Sequence, residues 1–271
     1  MKIAFGQINP TVGDVAGNAE LVLDTMKEAR DKQCDLVIFP ELTLTGYPPE
    51  DLVFRPAFIT ENVLALRQIA PLIKGPAAVV GFIDHKKGRL FNAAAAIEHG
   101  AVKTVYHKRC LPNYGVFDEM RYFAAGAQSG VFACRGVRFG LTICEDVWYG
   151  TTHYRDLKKR SLDAVINLSA SPFHLGKMGL RQKVMSQCAR NLKKTVFYCN
   201  MVGGQDELVF DGGSFAVSPG GRLVAAAPHF NSGLFAFDFD PLTQRIKAPP
   251  IPGKEKNGSE CDDILQALTL G

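Results

Sequence analysis

The sequence predicts an α/β fold with two sheets held between helix layers. Three observations lead there. Strand-like runs alternate with helical patterns early in the chain, hairpin signals follow later, and the strands are apolar without strict alternation. Alternation marks a sheet with one wet face, whereas continuous apolar runs mark a sheet covered on both.

The elements follow in order. Residues 3–8 read as a buried strand. Gly13 and Gly17 break the chain and Asn18 suits an N-cap. Residues 19–32 then place Leu21, Val22, Met26 and Ala29 on one helical face. Residues 35–39 give a second strand, stopped by Pro40, and the turn-rich TGYPPEDL follows. Residues 56–72 form a helix closed by Lys74 and Gly75. Residues 77–83 are a third strand, with Lys87 and Gly88 in a turn. Residues 92–98 and 102–106 make a hairpin around Gly100. After an irregular segment over 108–126, residues 131–133 and 137–143 make another around Gly136. A helix over 152–160, a strand over 164–168 and a helix over 179–192 come next. Strands over 196–199, 214–217 and 223–227 complete the set. The SPGGRL stretch at Ser218 and the glycines of DGGS read as hairpin turns and match no Walker motif.

Residues 1–247 thus form one domain. Residues 248–259 are rich in Pro, Gly and Lys and read as a linker. Residues 262–270 open a helical pattern that stops at the chain end, so 248–271 reads as a linker plus the start of something longer.

Bulk properties exclude several classes. A net charge of +4 over 271 residues, with no basic stripe, does not point to nucleic acid. The seven cysteines form no C-x-x-C pair, and the six histidines show no metal-ligand spacing, so no metal site is expected. The N-terminus lacks the pattern of a secretory leader, and no apolar run reaches the roughly 18 residues of a membrane span. The expectation is a reducing, cytoplasmic setting.

Three residues stand at predicted strand ends, where rigid scaffolds carry chemistry. They are Glu41 in PEL, Lys108 in YHKR and Cys144 in RFGLTICEDVWYG. Singly, each has a plain reading: a solvated glutamate, a surface lysine and a buried thiol behaving as a small hydrophobe. Together, a thiol, a carboxylate and an ammonium are the parts needed for acyl transfer through a thioester.

With FPELTLTGYPPEDL, YHKRCLPNYGVFDE and LTICEDVW in that order, the sequence resembles the nitrilase, or carbon–nitrogen hydrolase, superfamily, whose triad is Glu, Lys and Cys. TGYPPEDL, LPNYGVFDEMRYF, NLSASPF and NMVGGQDELVFDGGS resemble one branch of it, the glutaminase domains of glutamine-dependent NAD(+) synthetases. The tail DDILQALTLG resembles the start of the synthetase domain that follows in that branch.

The resemblance implies a four-layer αββα sandwich of the nitrilase type. It implies Cys144 as nucleophile, Glu41 as general base, Lys108 as oxyanion stabiliser and Glu119 as a second glutamate orienting the lysine and the substrate amide. For Glu119 the plain alternative is an ion pair with Arg121 or Arg109. Tyr114, Ser171 and Lys177 match positions that hold glutamine, with Lys177 suited to a carboxylate as a point charge. Glu145 either meets the α-ammonium or braces the backbone. The implied partners are glutamine, a C-terminal synthetase domain and further copies of the chain, with neither nucleic acid nor membrane. No SGGxDS-type loop is present, so ATP and Mg2+ are expected only in the longer enzyme and no cofactor in this chain. The alternatives are a stand-alone hydrolase of small amides, ω-amidase-like, and a catalytically silent docking domain.

Overall fold

A computed structural model describes residues 1–148, 156–250 and 260–271. The chain opens with β1 (Lys2–Gln7), α1 (Val15–Asp31), β2 (Leu36–Ile38), α2 (Pro56–Ile69), β3 (Ala77–Lys86), β4 (Arg89–Glu98) and β5 (Ala101–His107). A short helix α3 (Glu119–Tyr122) precedes the hairpin of β6 (Gly130–Cys134) and β7 (Val137–Ile143). Next come β8 (Ala164–Ser169), α4 (Lys177–Leu192), β9 (Thr195–Asn200) and a ribbon of β10 (Val202–Gln205) and β11 (Leu208–Asp211). The last elements are β12 (Phe215–Val217), β13 (Leu223–Ala226), β14 (Gly233–Asp240), β15 (Arg245–Lys247) and α5 (Glu260–Leu270).

One sheet has the order β15-β14-β1-β2-β3-β4-β5 and the other β13-β12-β9-β8-β7-β6. The central pairs β1–β2, β2–β3, β7–β8 and β8–β9 are parallel. Parallel strands need crossover connections, and those connections cover the sheet faces.

Three apolar layers result, which is why the strands lack alternation. Ile3, Phe5 and Ile38 point between the sheets and meet Phe139, Leu141 and Phe197. Their neighbours Ala4, Val37 and Val80 face outward under Val22 and Met26 of α1 and Leu66 of α2. On the far side Val165, Val196 and Tyr198 pack under Met185, Cys188 and Ala189 of α4. The architecture is the expected αββα sandwich. Each fully buried large apolar side chain contributes roughly 1.5–3 kcal/mol.

The structure corrects several local expectations. Helix α1 starts at Val15, not at residue 19, because the Asp14 side chain accepts from Gly17 N and caps it. Asn18 lies buried inside the helix and ties down a loop instead: it accepts from Thr11 N and donates to Thr11 O and Leu44 O. The DGGS glycines are not a hairpin turn. Gly212 and Gly213, both at φ 60°, carry the chain from the ribbon to β12. A Cβ there would meet the Gln7 side chain at 2.4 Å and Met178 Cε at 2.5 Å. The Ser218 stretch does turn a hairpin, β12 to β13, closed by Ser218 N to Arg222 O. The sequence reading also missed β10, β11, β14 and β15, although β14 pairs with every residue of β1.

Of the expected helix over 152–160, residues 152–155 lie outside the described residues, and 156–158 are helical. Most of the expected linker, 251–259, is also outside them. Among the described residues no helix is long and apolar enough to cross a membrane.

Candidate active site

The ends of β2, β5 and β7 meet at one buried cluster. Pro40 ends β2, and the Thr43 hydroxyl donates to Pro40 O at 2.7 Å, closing the turn that carries Glu41. Strand β3 passes directly beneath. A Cβ on Gly81 would lie 2.4 Å from both Pro40 O and Leu42 N, so only glycine lets the strand come this close.

Lys108, immediately after β5, is fully buried, and Glu41 is 1% exposed. The Lys108 ammonium donates to Glu41 Oε1 at 2.6 Å and to Glu119 Oε1 at 2.7 Å. Asn92 Nδ2 also donates to Glu41 Oε1, at 2.7 Å, and Ala170 N donates to Glu41 Oε2 at 2.9 Å. The Tyr47 hydroxyl donates to Glu119 Oε1 at 3.1 Å.

Cys144 begins the short 3-10 turn Cys144–Val147 that ends β7. Its φ is +39°, a strained left-handed conformation for a residue with a side chain. Two buried side chains hold it there. Asn167 Nδ2 donates to Cys144 O at 3.4 Å. Asp146, fully buried, accepts from Ile143 N at 2.9 Å and the Tyr106 hydroxyl at 2.7 Å through Oδ2. Its Oδ1 accepts from Arg109 N at 3.0 Å and Cys110 N at 2.8 Å. One carboxylate therefore ties the turn bearing Cys144 to the segment that leaves Lys108.

The electrostatics follow from burial. Burial and the Glu41 charge push the Cys144 thiol well above its ordinary range, against the pull of Lys108. Burial pulls the Lys108 ammonium down, but Glu119 and Glu41 more than reverse that and hold it charged. Burial lifts the Glu119 carboxyl to about 7, with Lys108 opposing and Glu41 adding to the rise. Burial thus favours the neutral form of the Cys144 thiol, while the neighbouring carboxyls favour the charged form of Lys108.

Around it stand the other residues singled out in the sequence. Tyr114, half-exposed, donates from its hydroxyl to Glu145 Oε1 at 2.8 Å. Burial raises the Glu145 carboxyl, and the Tyr114 hydrogen bond opposes that. Lys177, the first residue of α4, holds its ammonium 5.0 Å from the Trp148 ring centroid. Ser171 is buried, with its N–H donating to Asn200 Oδ1 at 2.8 Å. Glu119 forms no ion pair with Arg121 or Arg109: Arg121 pairs with Asp51 and Asp118, and Arg109 with Asp156.

Sequence reasoning missed Asn92, Tyr47 and Arg181 and undervalued Asp146. Asn92 had a signal: one amide inside the apolar run of β4. Arg181 had none, because an arginine in a helix reads as surface, yet it is fully buried. Among the described residues no group of His, Cys, Asp and Glu could hold a metal ion.

Residues 2–248 match the family model described as carbon–nitrogen hydrolase. The chain is 41% identical over 243 residues to a glutamine-dependent NAD(+) synthetase of Thermotoga maritima, covering 89% of this chain and 42% of that protein. The structure of the glutamine-dependent NAD+ synthetase from Acinetobacter baumannii superposes with a TM-score of 0.93 at 36% identity, over 99% of this chain and 50% of that one. An amidase variant from Nesterenkonia sp. AN1 superposes with a TM-score of 0.79 at 26% identity, over 89% of this chain and 91% of that one. In that variant the acetamide moiety of fluoroacetamide is covalently added at the active-site cysteine. The chain spans about half the length of the curated relatives it matches.

Proposed function

The chain belongs to the carbon–nitrogen hydrolase family, and from that premise we propose that it hydrolyses the side-chain amide of glutamine, releasing ammonia through a thioester on Cys144. The observation that carries the reading is the buried Lys108–Glu41 contact of 2.6 Å at the strand ends that also present Cys144.

The chemistry follows from the groups in place. Cys144 Sγ attacks the amide carbon while Glu41 takes the thiol proton. A raised thiol pKa makes that base necessary. Negative charge develops on the amide oxygen. Lysine has three N–H donors, and two of those on Lys108 are held by Glu41 and Glu119. The third is left for the oxyanion, with the N–H of Glu145, first in the turn after the nucleophile, as the second donor. Glu41 hands its proton to the departing ammonia. It then takes one from the water that cleaves the thioester, giving glutamate and a free thiol. Glu119 holds Lys108 in place, and Tyr114, Glu145, Ser171 and Lys177 hold the amino-acid end of the substrate.

In the longer relatives' arrangement we read residues 1–247 as the glutaminase unit and 248–271 as a linker with the start of a synthetase domain. That domain would take the ammonia to convert deamido-NAD(+) to NAD(+) with ATP and Mg2+. In this reading ATP and Mg2+ belong to the synthetase domain, whose SGGxDS-type loop this chain does not carry. A cytoplasmic, homo-oligomeric enzyme belongs to the same reading.

A second reading is favoured by the near-complete coverage of the Nesterenkonia amidase, 91% of that chain: a hydrolase of simple amides. Ammonia release from glutamine and from propionamide separates the two. A kcat/KM at least tenfold higher for glutamine supports the first; equal or better turnover of propionamide supports the second. No release from either supports a silent docking domain.

A further inference from the structure

Arg181 lies on α4, fully buried, and none of its charge reaches solvent. Burying a guanidinium is costly unless every donor is used. Here the donors are spent on two things. Nη1 donates to Asp211 Oδ1 at 2.7 Å and Oδ2 at 2.9 Å. All the others go to one loop: Nη2 to Ser171 O at 2.6 Å and Pro172 O at 2.9 Å, and Nε to Ser171 Oγ at 3.1 Å. Asn200 holds the same residue from the other side, at its N–H and its carbonyl. Asp211 in turn lies 3.1 Å from His229 Nδ1.

The Nε contact has a chemical consequence. A serine hydroxyl has one hydrogen to give and lone pairs to receive. Because the Ser171 oxygen already accepts from Arg181, its hydrogen is turned away from Arg181. Among the described residues the only hydrogen bond to that hydroxyl is the one from Arg181. Lys177 lies one helical turn before Arg181, so both sit on the same face of α4. Burial lowers the Lys177 ammonium, and the Arg181 charge adds to that. The Ser171 hydroxyl therefore has its hydrogen left to donate to a partner other than Arg181.

We propose that Arg181 is a positioning residue that fixes the Ser171 hydroxyl as a hydrogen-bond donor, so that this end of the pocket selects an α-carboxylate. The inference rests on glutamine as the substrate. Arg181 touches no reacting atom and acts through the Ser171 loop that it holds.

The test compares ammonia release from glutamine and from 4-aminobutanamide, which is glutamine without the α-carboxylate. The wild-type chain, Arg181→Lys, Ser171→Ala and the double variant are measured. Lysine keeps a positive charge against Asp211 but cannot serve the loop and the carboxylate together. Arg181→Lys is expected to raise KM for glutamine about tenfold to a hundredfold, the worth of a hydrogen bond to a charged group. The loss falls on KM more than on kcat, and the preference for glutamine over 4-aminobutanamide narrows. Ser171→Ala narrows it equally, and the double variant loses little more. Equal losses on both substrates, or additive losses in the double variant, overturn the inference. If Arg181→Lys shows no cooperative thermal unfolding, Ser171→Ala decides alone: an unchanged preference overturns the donor role and a narrowed one upholds it. A wild-type chain that releases no ammonia from glutamine overturns the glutamine reading and this inference with it, whereas a glutamine-active wild type with an unmoved Arg181→Lys overturns the inference only.

Discussion

Lys108 and Glu41 are in contact at 2.6 Å although they come from different strands, 67 residues apart, and neither reaches solvent. Taking two charges out of water costs several kcal/mol per ion and is repaid only by good geometry and further hydrogen bonds. Asn92, Ala170, Glu119 and Tyr47 supply those bonds. A network so complete around one ammonium fixes where its remaining N–H can point.

Lys108→Met removes the cation and leaves two carboxylates buried without it. It should cost about 3–5 kcal/mol of stability and all measurable turnover. Lys108→Arg is the sharper variant. A planar fork cannot occupy the position of an ammonium held from two sides, so a well-folded Lys108→Arg protein should still lose at least about a hundredfold in kcat, the loss expected for one oxyanion donor. Near-wild-type kcat in that variant would remove Lys108 from the chemistry.

Glu119 should make stability depend on pH. Its folded pKa, about 7, is raised above the ordinary value of 4.5. The folded state therefore holds a proton that the unfolded state has lost, and stability falls as pH rises between those two values. The slope approaches roughly 1.4 kcal/mol per pH unit for one proton. Glu119→Gln cannot titrate, so this part of the slope should vanish. Urea unfolding of both proteins from pH 5 to pH 7 measures it, and parallel curves would contradict the assignment.

Asp146→Ala strands four donors: Ile143 N, Arg109 N, Cys110 N and the Tyr106 hydroxyl. An unsatisfied buried donor costs about 1–3 kcal/mol, so the variant should lose at least that much. Because Asp146 joins the Cys144 turn to the segment after Lys108, activity should fall more than stability predicts. Alkylation of Cys144 by iodoacetamide is the check; an unchanged rate would limit Asp146 to stability.

Gly81→Ala places a methyl group against Pro40 O and Leu42 N, backbone atoms that cannot swing aside. Overpacking of this kind costs roughly 1–3 kcal/mol, and the strain falls on the turn that carries Glu41. Thermal unfolding should shift downward and kcat should drop with it. A lowered Tm with unchanged kcat would show that the close approach of β3 serves the fold without setting the position of Glu41.

The parts legible in the sequence share a physical reason. Glu41, Lys108 and Cys144 each end an apolar run, so their placement at strand ends needed no knowledge of tertiary contacts. The covered sheets were legible because Ile3, Ala4 and Phe5 are apolar in succession, and burial on both faces demands that. What was not legible depends on partners far along the chain. Asn92 meets Glu41 51 residues away, and Arg181 meets Asp211 30 residues away. Helical spacing cannot reveal that an arginine points inward. Strand β14 was missed although FAFDFD alternates, and its pairing with β1 joins the two ends of the sandwich domain. Asn18 was misread because Asp14 and Asn18 are both good caps, and the helix begins at the earlier one, where Asp14 accepts from Gly17 N.

The central claim is a covalent bond between glutamine's acyl group and Cys144. The direct measurement is mass spectrometry of the intact chain and its peptides after acid quench during glutamine turnover. The account predicts a glutamyl thioester on the peptide containing Cys144, absent from Cys144→Ala, which should also be inactive. Wild-type turnover in Cys144→Ala would contradict it.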